Sequence, residues 1–424
     1  MIDDNAEVTV VGGGLAGLTA AVVAAQAGAV VTLYEARDTA GGRARTTRHG
    51  EFRFNQGPHA LYRAGAARRI LSELGIDPAG HTPNIRGYHF DVDGQLRSAS
   101  RPGTFGFSAG RSLISALRQR DHAGASVADT LAHLGPDARS RVACLVRLAT
   151  YVEDLDELDA GAAFAQLRLA TRSVRYLDGG WESIVDGLVG LARAGGVTIE
   201  TAHRVNAVTA EDPGRGFTVA TNSSTRYADS VVLAQGGPAH AAALTGGASR
   251  HLSAAAAAAR PVTASCLDVA LDATTSRGAA VSLGLNDPTY VVDHAATARL
   301  APEGAHIIHA MWYGGDASID RRPALEDALD RSWPDWRGHV VEARWSRSLV
   351  VAHDRPHPGA PPVTHEVPDS AGLFVAGDWI TAAGMLADAA VQSGQQAGLA
   401  AANSLTRRRS LRPQPNPARL GGSR

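Results

Sequence analysis

The sequence predicts an α/β fold: a Rossmann-like dinucleotide-binding domain interleaved with a second, α+β domain. Three observations carry this. An apolar strand ends at Val11 and runs straight into Gly12, Gly14 and Gly17 at G-x-G-x-x-G spacing. A helix-like run closes near Gly28, and a second apolar strand, Val30 to Tyr34, then delivers the acid Glu35. Strands of the same buried type recur far along the chain, at Asp229 to Ala234 and Gly372 to Ala376, so one sheet is expected to gather distant segments.

Each element has a physical reason. Gly12 allows the tight turn, Gly14 lets backbone approach a pyrophosphate, and Gly17 lets helix and strand pack closely. Leu15 and Ala16 open the helix, whose free N–H groups and positive dipole end favour phosphate. Glu35, eighteen residues past Gly17 and followed by Ala36, is placed to accept hydrogen bonds from a ribose. A G-x-G-x-x-G alone is a weak signal; bracketed by strand, helix, strand and acid it is specific. Next, Gly41 and Gly42 let the chain pass tightly, and Arg43 offers a permanently charged fork for phosphate.

Residues 66–172 read as helical, with Ile70, Leu71 and Leu74 on one face and Leu113, Ile114, Leu117, Leu131 and Leu134 later. Residues 173–245 return to the dinucleotide domain. Residues 246–365 carry period-two patterns, notably Val262 to Ala270 and Ala305 to Trp312, which predict a half-exposed sheet. The dinucleotide domain is therefore expected to comprise 1–65, 173–245 and 366–405, and the second domain 66–172 and 246–365. The tail, 406–424, is rich in Arg, Pro and Gly and is expected to be disordered.

Composition sets outer limits. The chain has 424 residues, 44% hydrophobic and 20% charged, enough for two well-formed cores. A net charge of −1 gives no electrostatic case for a nucleic-acid partner. The arginine-rich tail offers one surface for peripheral contact with anionic lipid, against the simpler expectation of a solvated tail. All 41 basic side chains are arginine, because the chain has no lysine. The only cysteines, Cys144 and Cys266, form neither a disulfide framework nor a metal-ligand spacing, so no metal is predicted and a reducing cytoplasm fits best. The acidic start lacks a signal-peptide n-region.

The run Glu35 to Thr46, with its Gly-Gly-Arg turn, resembles the extension found in FAD proteins of the amine oxidase and phytoene desaturase superfamily. The stretch Gly372-Leu-Phe-Val-Ala-Gly377-Asp378-Trp379, followed by Met385, Leu386 and the small-residue run Asp388 to Gly398, resembles that family's C-terminal flavin motif. Asp178-Gly-Gly-Trp181 and Phe54 to Leu61 are further, weaker matches. The resemblance implies FAD bound non-covalently, neither cysteine lying near the C-terminal motif. It implies contacts from Gly377 and Asp378 to the ribityl–pyrophosphate segment and from the Val205 backbone to the adenine. It also implies that the helix opening at Met385 or Leu386 points at the flavin. Asp388 reads mainly as a favourable acid near that helix N-terminus.

A flavin supplies the redox chemistry, so the protein must mainly position a substrate and exclude water. His59, after a Gly-Pro turn near the implied flavin edge, is the single candidate for an acid/base or orienting role. Trp312 and Trp379 are candidate pocket walls. His306 and His309, three apart on an alternating strand, should face opposite ways. Many amine oxidases use a lysine near flavin N5 and an aromatic cage wall before the last helix. This chain has no lysine and reads Gly384-Met-Leu-Ala-Asp388 there. The implied activity is therefore hydride transfer from a hydrophobic isoprenoid, lipid or secondary metabolite. The alternatives are amine or amino-acid oxidation, or a flavin-free carrier similar to the prenyl-binding GDP-dissociation inhibitors.

Overall fold

The computed structural model describes residues 7–101, 107–118, 122, 124–211 and 216–411. Five parallel strands form the first sheet, in the order Thr198–Glu200, Val30–Tyr34, Glu7–Val11, Ser230–Leu233, Leu373–Val375. Val10 pairs with Leu33 on one side and Val232 on the other, and Leu233 pairs with Val375. Chain segments more than 350 residues apart thus lie two strands from each other. The four strands other than the edge strand Thr198–Glu200 are buried almost throughout, as apolar, β-branched runs demand.

Two helices cross one face of this sheet in close contact, Leu15–Gln26 and Ala387–Leu411. Glycine makes the approach possible. A Cβ at Gly394 would lie 2.3 Å from the Ala16 carbonyl oxygen, and one at Gly398 2.3 Å from that of Ala20. The small-residue run near the end of the chain is thereby explained as packing. The last helix continues to Leu411, so residues 406–411, expected with the disordered tail, are helical; residues 412–424 lie outside the described residues.

The second domain is built on a seven-stranded sheet. Its order is Val340–Ala352, Val262–Leu271, His306–Tyr313, Thr289–Asp293, Val281–Gly284, Tyr88–Val92, Gln95–Ser98. The last two strands correct the expectation that residues 66–172 are helical. Sheet pairing, which local periodicity does not encode, recruits them: Tyr88–Val92 runs parallel to Val281–Gly284. The half-exposed sheet also needs correction, since all eight residues of His306–Tyr313 are buried. Helix Arg322–Ser332 covers one face, and the other looks toward helices Pro136–Thr150 and Ala160–Thr171 and toward the first domain.

Two expected boundaries shift inward. Ala67, Ile70 and Leu71 of helix Ala66–Glu73 belong to the core under the parallel sheet. Leu252 of helix Arg250–Ala258 packs with Leu244, Val367 and Leu373 on that sheet's other side. Among the described residues no helix is long and apolar enough to cross a membrane.

Candidate active site

A cavity of about 530 Å³ runs from the parallel sheet to the seven-stranded sheet. Of the residues predicted from sequence, Gly12, Gly14, Leu15, Ala16, Glu35, Ala36, Gly41, Gly42, Arg43, His59, Gly377, Asp378 and Leu386 line it. The two terminal blocks of the chain therefore meet in one cleft.

At one end lies the glycine turn. Gly12 takes φ +105°, a conformation that favours glycine, and a Cβ there would press on Gln235. Gly17 does not line the cavity. A Cβ on it would lie 1.8 Å from the Gly12 carbonyl oxygen, which is the close helix–strand packing the motif predicts. Gly14 is the reverse case: a Cβ there meets nothing within 4 Å. It is also the N-cap of helix Leu15–Gln26, which has no side-chain cap and no acid in its first turn. An uncapped helix N-terminus beside open space is a cradle for an anion. Gly41 at φ +121° and Gly42 at φ +55° fold the next loop back over it, and Gly41 N–H donates to the Gly13 carbonyl at 2.7 Å.

Glu35 is 8% exposed. Its Oε2 accepts from Gly13 N–H at 2.8 Å and its Oε1 from Arg37 N–H at 2.9 Å. A carboxylate has about four acceptor positions, so it can hold the turn and still receive ribose hydroxyls. These features fit the dinucleotide portion of a flavin.

Arg43 stands differently from its predicted phosphate role. Its Nη1 donates to Asp378 Oδ2 at 2.9 Å and to the Val351 carbonyl, and its Nη2 lies 3.2 Å from His353 Nδ1. Asp378 accepts further from His353 N–H at 3.1 Å, while its Oδ1 lies 2.9 Å from His353 Nδ1. Burial alone would raise the Asp378 carboxyl; Arg43 and His353 outweigh it and hold the group well below the usual carboxylate range. Arg43, His353 and Asp378 thus form one charge-compensated cluster on the cavity wall. His353 had no sequence signal, because it reaches the site from the end of the strand Val340–Ala352.

The last helix begins at Ala387, directly after Leu386 at φ +58°, a left-handed conformation costly for a branched side chain. Leu386 faces the cavity; Met385 does not. Met385 is buried among the helices, its N–H donating to Gln166 Oε1 at 2.9 Å. Val205 is likewise outside the wall, its side chain being in the core with Leu244 and Leu252 on the other side of the parallel sheet, and neighbouring Arg204 lines the cavity instead.

Both predicted pocket tryptophans are corrected. Trp312 points away from the cavity onto helix Arg322–Ser332 with Arg321 over its ring, and the next residue back, Met311, lines the wall. Strand alternation decides this: neighbours face opposite ways. The same rule separates His306, against Trp333, from His309, on the opposite face against His294. Trp379 is 5% exposed and packs in the core with Val375 and Ile380. Cys266 lines the cavity although it is distant in sequence from the C-terminal motif. Burial, and then Asp268, push its thiol well above the ordinary range, so it is not a resting thiolate.

His59 sits on the cavity wall edge-on to Trp181, ring centroids 5.2 Å apart. Its Nδ1 lies 3.0 Å from the Gly57 carbonyl, which fixes the proton on Nδ1 and leaves Nε2 as an acceptor. Desolvation lowers its pKa to about 4, the Gly57 contact opposing and His309 and Arg43 assisting.

Asp388 also lines the cavity. Its Oδ1 accepts from Ala67 N–H at 2.8 Å, and its buried Oδ2 has no partner among the described residues. Burial raises its pKa to about 6, with the Ala67 bond opposing. The folded protein then binds more protons than the unfolded chain between about pH 4 and 6, so this group costs stability as pH rises. Asp388→Asn should gain about 1–3 kcal/mol at pH 8 and nothing below pH 4. Urea unfolding at the two pH values checks it, and equal midpoints at pH 8 would refute it.

The family model for flavin containing amine oxidoreductases matches residues 15–405. A curated carotenoid 3,4-desaturase of Haloarcula japonica is 42% identical over 72 residues, a stretch covering 17% of this chain and only 14% of that protein. An oxidoreductase structure from Methanosarcina mazei superposes with a TM-score of 0.75 at 18% identity, covering 92% of this chain and 99% of its own. Cyclohexylamine oxidase from Brevibacterium oxydans IH-35A superposes with a TM-score of 0.71 at 16% identity, covering 95% and 100%. The two structures share the fold. With the match spanning nearly the whole chain, this protein belongs to the flavin containing amine oxidoreductase family and is a flavin-dependent oxidoreductase.

Proposed function

We propose that the chain binds FAD non-covalently and dehydrogenates an apolar small molecule. One observation carries the substrate class: the make-up of the cavity beyond the Gly12–Gly17 turn. Besides the polar groups already described, its lining includes Tyr62, Tyr151, Ala264, Cys266, Met311, Leu349 and Leu386, apolar side chains and two tyrosines. The tyrosine hydroxyl protons are already committed, Tyr62 donating to the Ala149 carbonyl and Tyr151 to that of Pro58, so neither offers a donor into the cavity. A hydrocarbon segment loses little on entering such a wall, whereas an ammonium group would lose its hydration with little return.

Chemistry supplied by the bound flavin is acceptance of a hydride from a substrate C–H bond. The chain's own part is to hold the cofactor and keep water out. Gly14 and the helix N-terminus at Leu15 receive the pyrophosphate, Glu35 the adenosine ribose, and Asp378 a ribityl hydroxyl. His59 Nε2, neutral at physiological pH, is an acceptor for the proton that a desaturation must also release. Non-covalent binding is supported by the absence of a cysteine from the C-terminal flavin motif, Gly372 to Gly398.

The local likeness to a carotenoid desaturase supports this reading. Amine oxidation remains the second reading; its one structural support is Asp388, a cavity-wall acid with an unpartnered oxygen. An anaerobic flavin-reduction screen of isoprenoids beside primary amines and amino acids separates them. Bleaching by isoprenoids alone supports desaturation, bleaching by amines overturns it, and protein unable to take up flavin returns the carrier reading. We also propose a cytoplasmic location, which two buried, unpaired cysteines support.

His59→Ala should lower turnover by roughly 100-fold or more with flavin retained. It should also flatten the acid limb of stability. In the native protein His59 stays neutral to about pH 4, while an unfolded histidine gains its proton near 6.5, so stability falls as pH drops through that window. Full turnover in the variant would remove the assigned role.

A further inference from the structure

At the cavity wall Cys266 meets two side chains that the proposed reaction does not use. Cys266 and Asp268 lie two apart on strand Val262–Leu271 and so share a face. Asp268 is directly opposite His309 on the antiparallel strand His306–Tyr313. Asp268 Oδ1 accepts from the Cys266 thiol at 2.9 Å and lies 2.6 Å from His309 Nδ1. Cys266 and His309 are fully buried, and Asp268 is 5% exposed.

We propose that the Cys266 sulfur, the Asp268 carboxylate and the His309 imidazole form a three-ligand site for a divalent transition metal, with Zn²⁺ the best fit. The three ligand atoms all lie within 4.8 Å of one another. Thiolate, imidazole and carboxylate together are a donor set that zinc accepts in tetrahedral geometry. Zinc bonds of about 2.0–2.3 Å require the donors to stand on the order of 1 Å farther apart than these hydrogen bonds, so binding would spread the trio slightly.

Two features favour an ion over the hydrogen-bonded trio alone. The first is charge. Asp268 is a buried carboxylate whose two partners here are a thiol and an imidazole. With a neutral imidazole, a divalent cation that displaces the thiol proton takes the local charge from minus one to zero, the state a low-dielectric interior favours. The second is an unmet hydrogen bond. His309 Nε2 and His294 Nε2 are both buried and unpartnered among the described residues, in rings whose centroids lie 4.8 Å apart at 66°. Ligation through Nδ1 would put the His309 proton on Nε2, and the usual outer partner of a ligating histidine would then have to come from a turn of the neighbouring His294 ring, since neither Nε2 has a partner as the rings stand. Of the three, Cys266 lines the cavity, which is the side from which an ion would enter.

The full chain, purified without chelator and passed through a desalting column, should retain zinc at one ion per chain by elemental analysis. Binding should release about one proton, that of the thiol. Cobalt(II) added to zinc-free protein should give a thiolate-to-cobalt absorption band in the near-ultraviolet difference spectrum. Cys266→Ser and His309→Asn should each weaken zinc by roughly 100-fold or more, and Cys144→Ser, whose thiol is buried elsewhere, should not. The cobalt band needs no variant: its absence from folded wild-type protein would overturn the site, as would undiminished zinc in Cys266→Ser. Neither result depends on which substrate the flavin site takes.

Discussion

Gly14→Val should leave the fold standing and abolish flavin binding. Valine at this position is not strained, since the backbone there is extended, at φ −79° and ψ −176°. A Cβ at Gly14 meets nothing within 4 Å apart from its chain neighbours, so the protein leaves room there for a larger side chain. That space is the cradle at the helix N-terminus, so the added methyl groups fall where a pyrophosphate must sit. The expected loss is roughly 1,000-fold or more in affinity, about 4 kcal/mol, while stability without flavin stays within about 1 kcal/mol of wild type. Gly17→Val is the control with the opposite logic. A Cβ 1.8 Å from the Gly12 carbonyl forces the turn apart, so that variant should lose stability first and cofactor as a consequence. Fluorescence titration of flavin-free protein, with unfolding curves for both variants, tells the cases apart. A yellow, active Gly14→Val would show that the phosphate lies elsewhere.

The contrast between these two glycines shows what a chain reveals before it folds. Gly12, Gly14, Gly17 and Glu35 were legible because their chemistry is local: one strand, one turn, one helix and one following strand place them all. Gly377 and Asp378 were legible for the same reason, the turn following a short buried strand. The opposite wall was not. Whether Met311 or Trp312 faces the cavity depends on strand parity, and a one-residue change of register reverses it. In the neighbouring strand Val340–Ala352 the pairing shifts between Ala264 and Cys266, which re-aims Leu349, Val351 and His353. Periodicity identifies such strands but not the bulge that turns them. The proposed metal ligands were hidden too, since Asp268 and His309 are 41 residues apart and meet only through sheet pairing.

Asp378→Asn should be the most damaging substitution in the charged cluster, and its effect should depend on pH with a definite sign. Asp378 is buried, and its carboxyl is held below the ordinary range by Arg43 and His353 against the opposing cost of burial. A carboxylate depressed in the folded state contributes stability that is fully present above the unfolded pKa, near 4, and is lost as pH falls below it. The amide keeps the shape and removes the charge, leaving Arg43 Nη1 with the Val351 carbonyl as its remaining partner. Removing one member of a fully buried pair costs about 3–5 kcal/mol. The Arg43 side chain is 37% exposed, and water can recover part of that, so a loss of about 1–3 kcal/mol at pH 7 is expected. At pH 3 the difference from wild type should shrink, because the native carboxylate is itself then being protonated in the unfolded chain. Denaturant midpoints for the two proteins across pH 3–8 test this directly. A gap that stays constant, or widens as pH falls, would mean that the Arg43–Asp378 attraction is not what holds this wall of the cavity together. Flavin affinity should fall in the same variant, and Arg43→Gln should reproduce the loss of stability while keeping the carboxylate acceptor. If both variants bind flavin as wild type does, the cluster serves the fold alone.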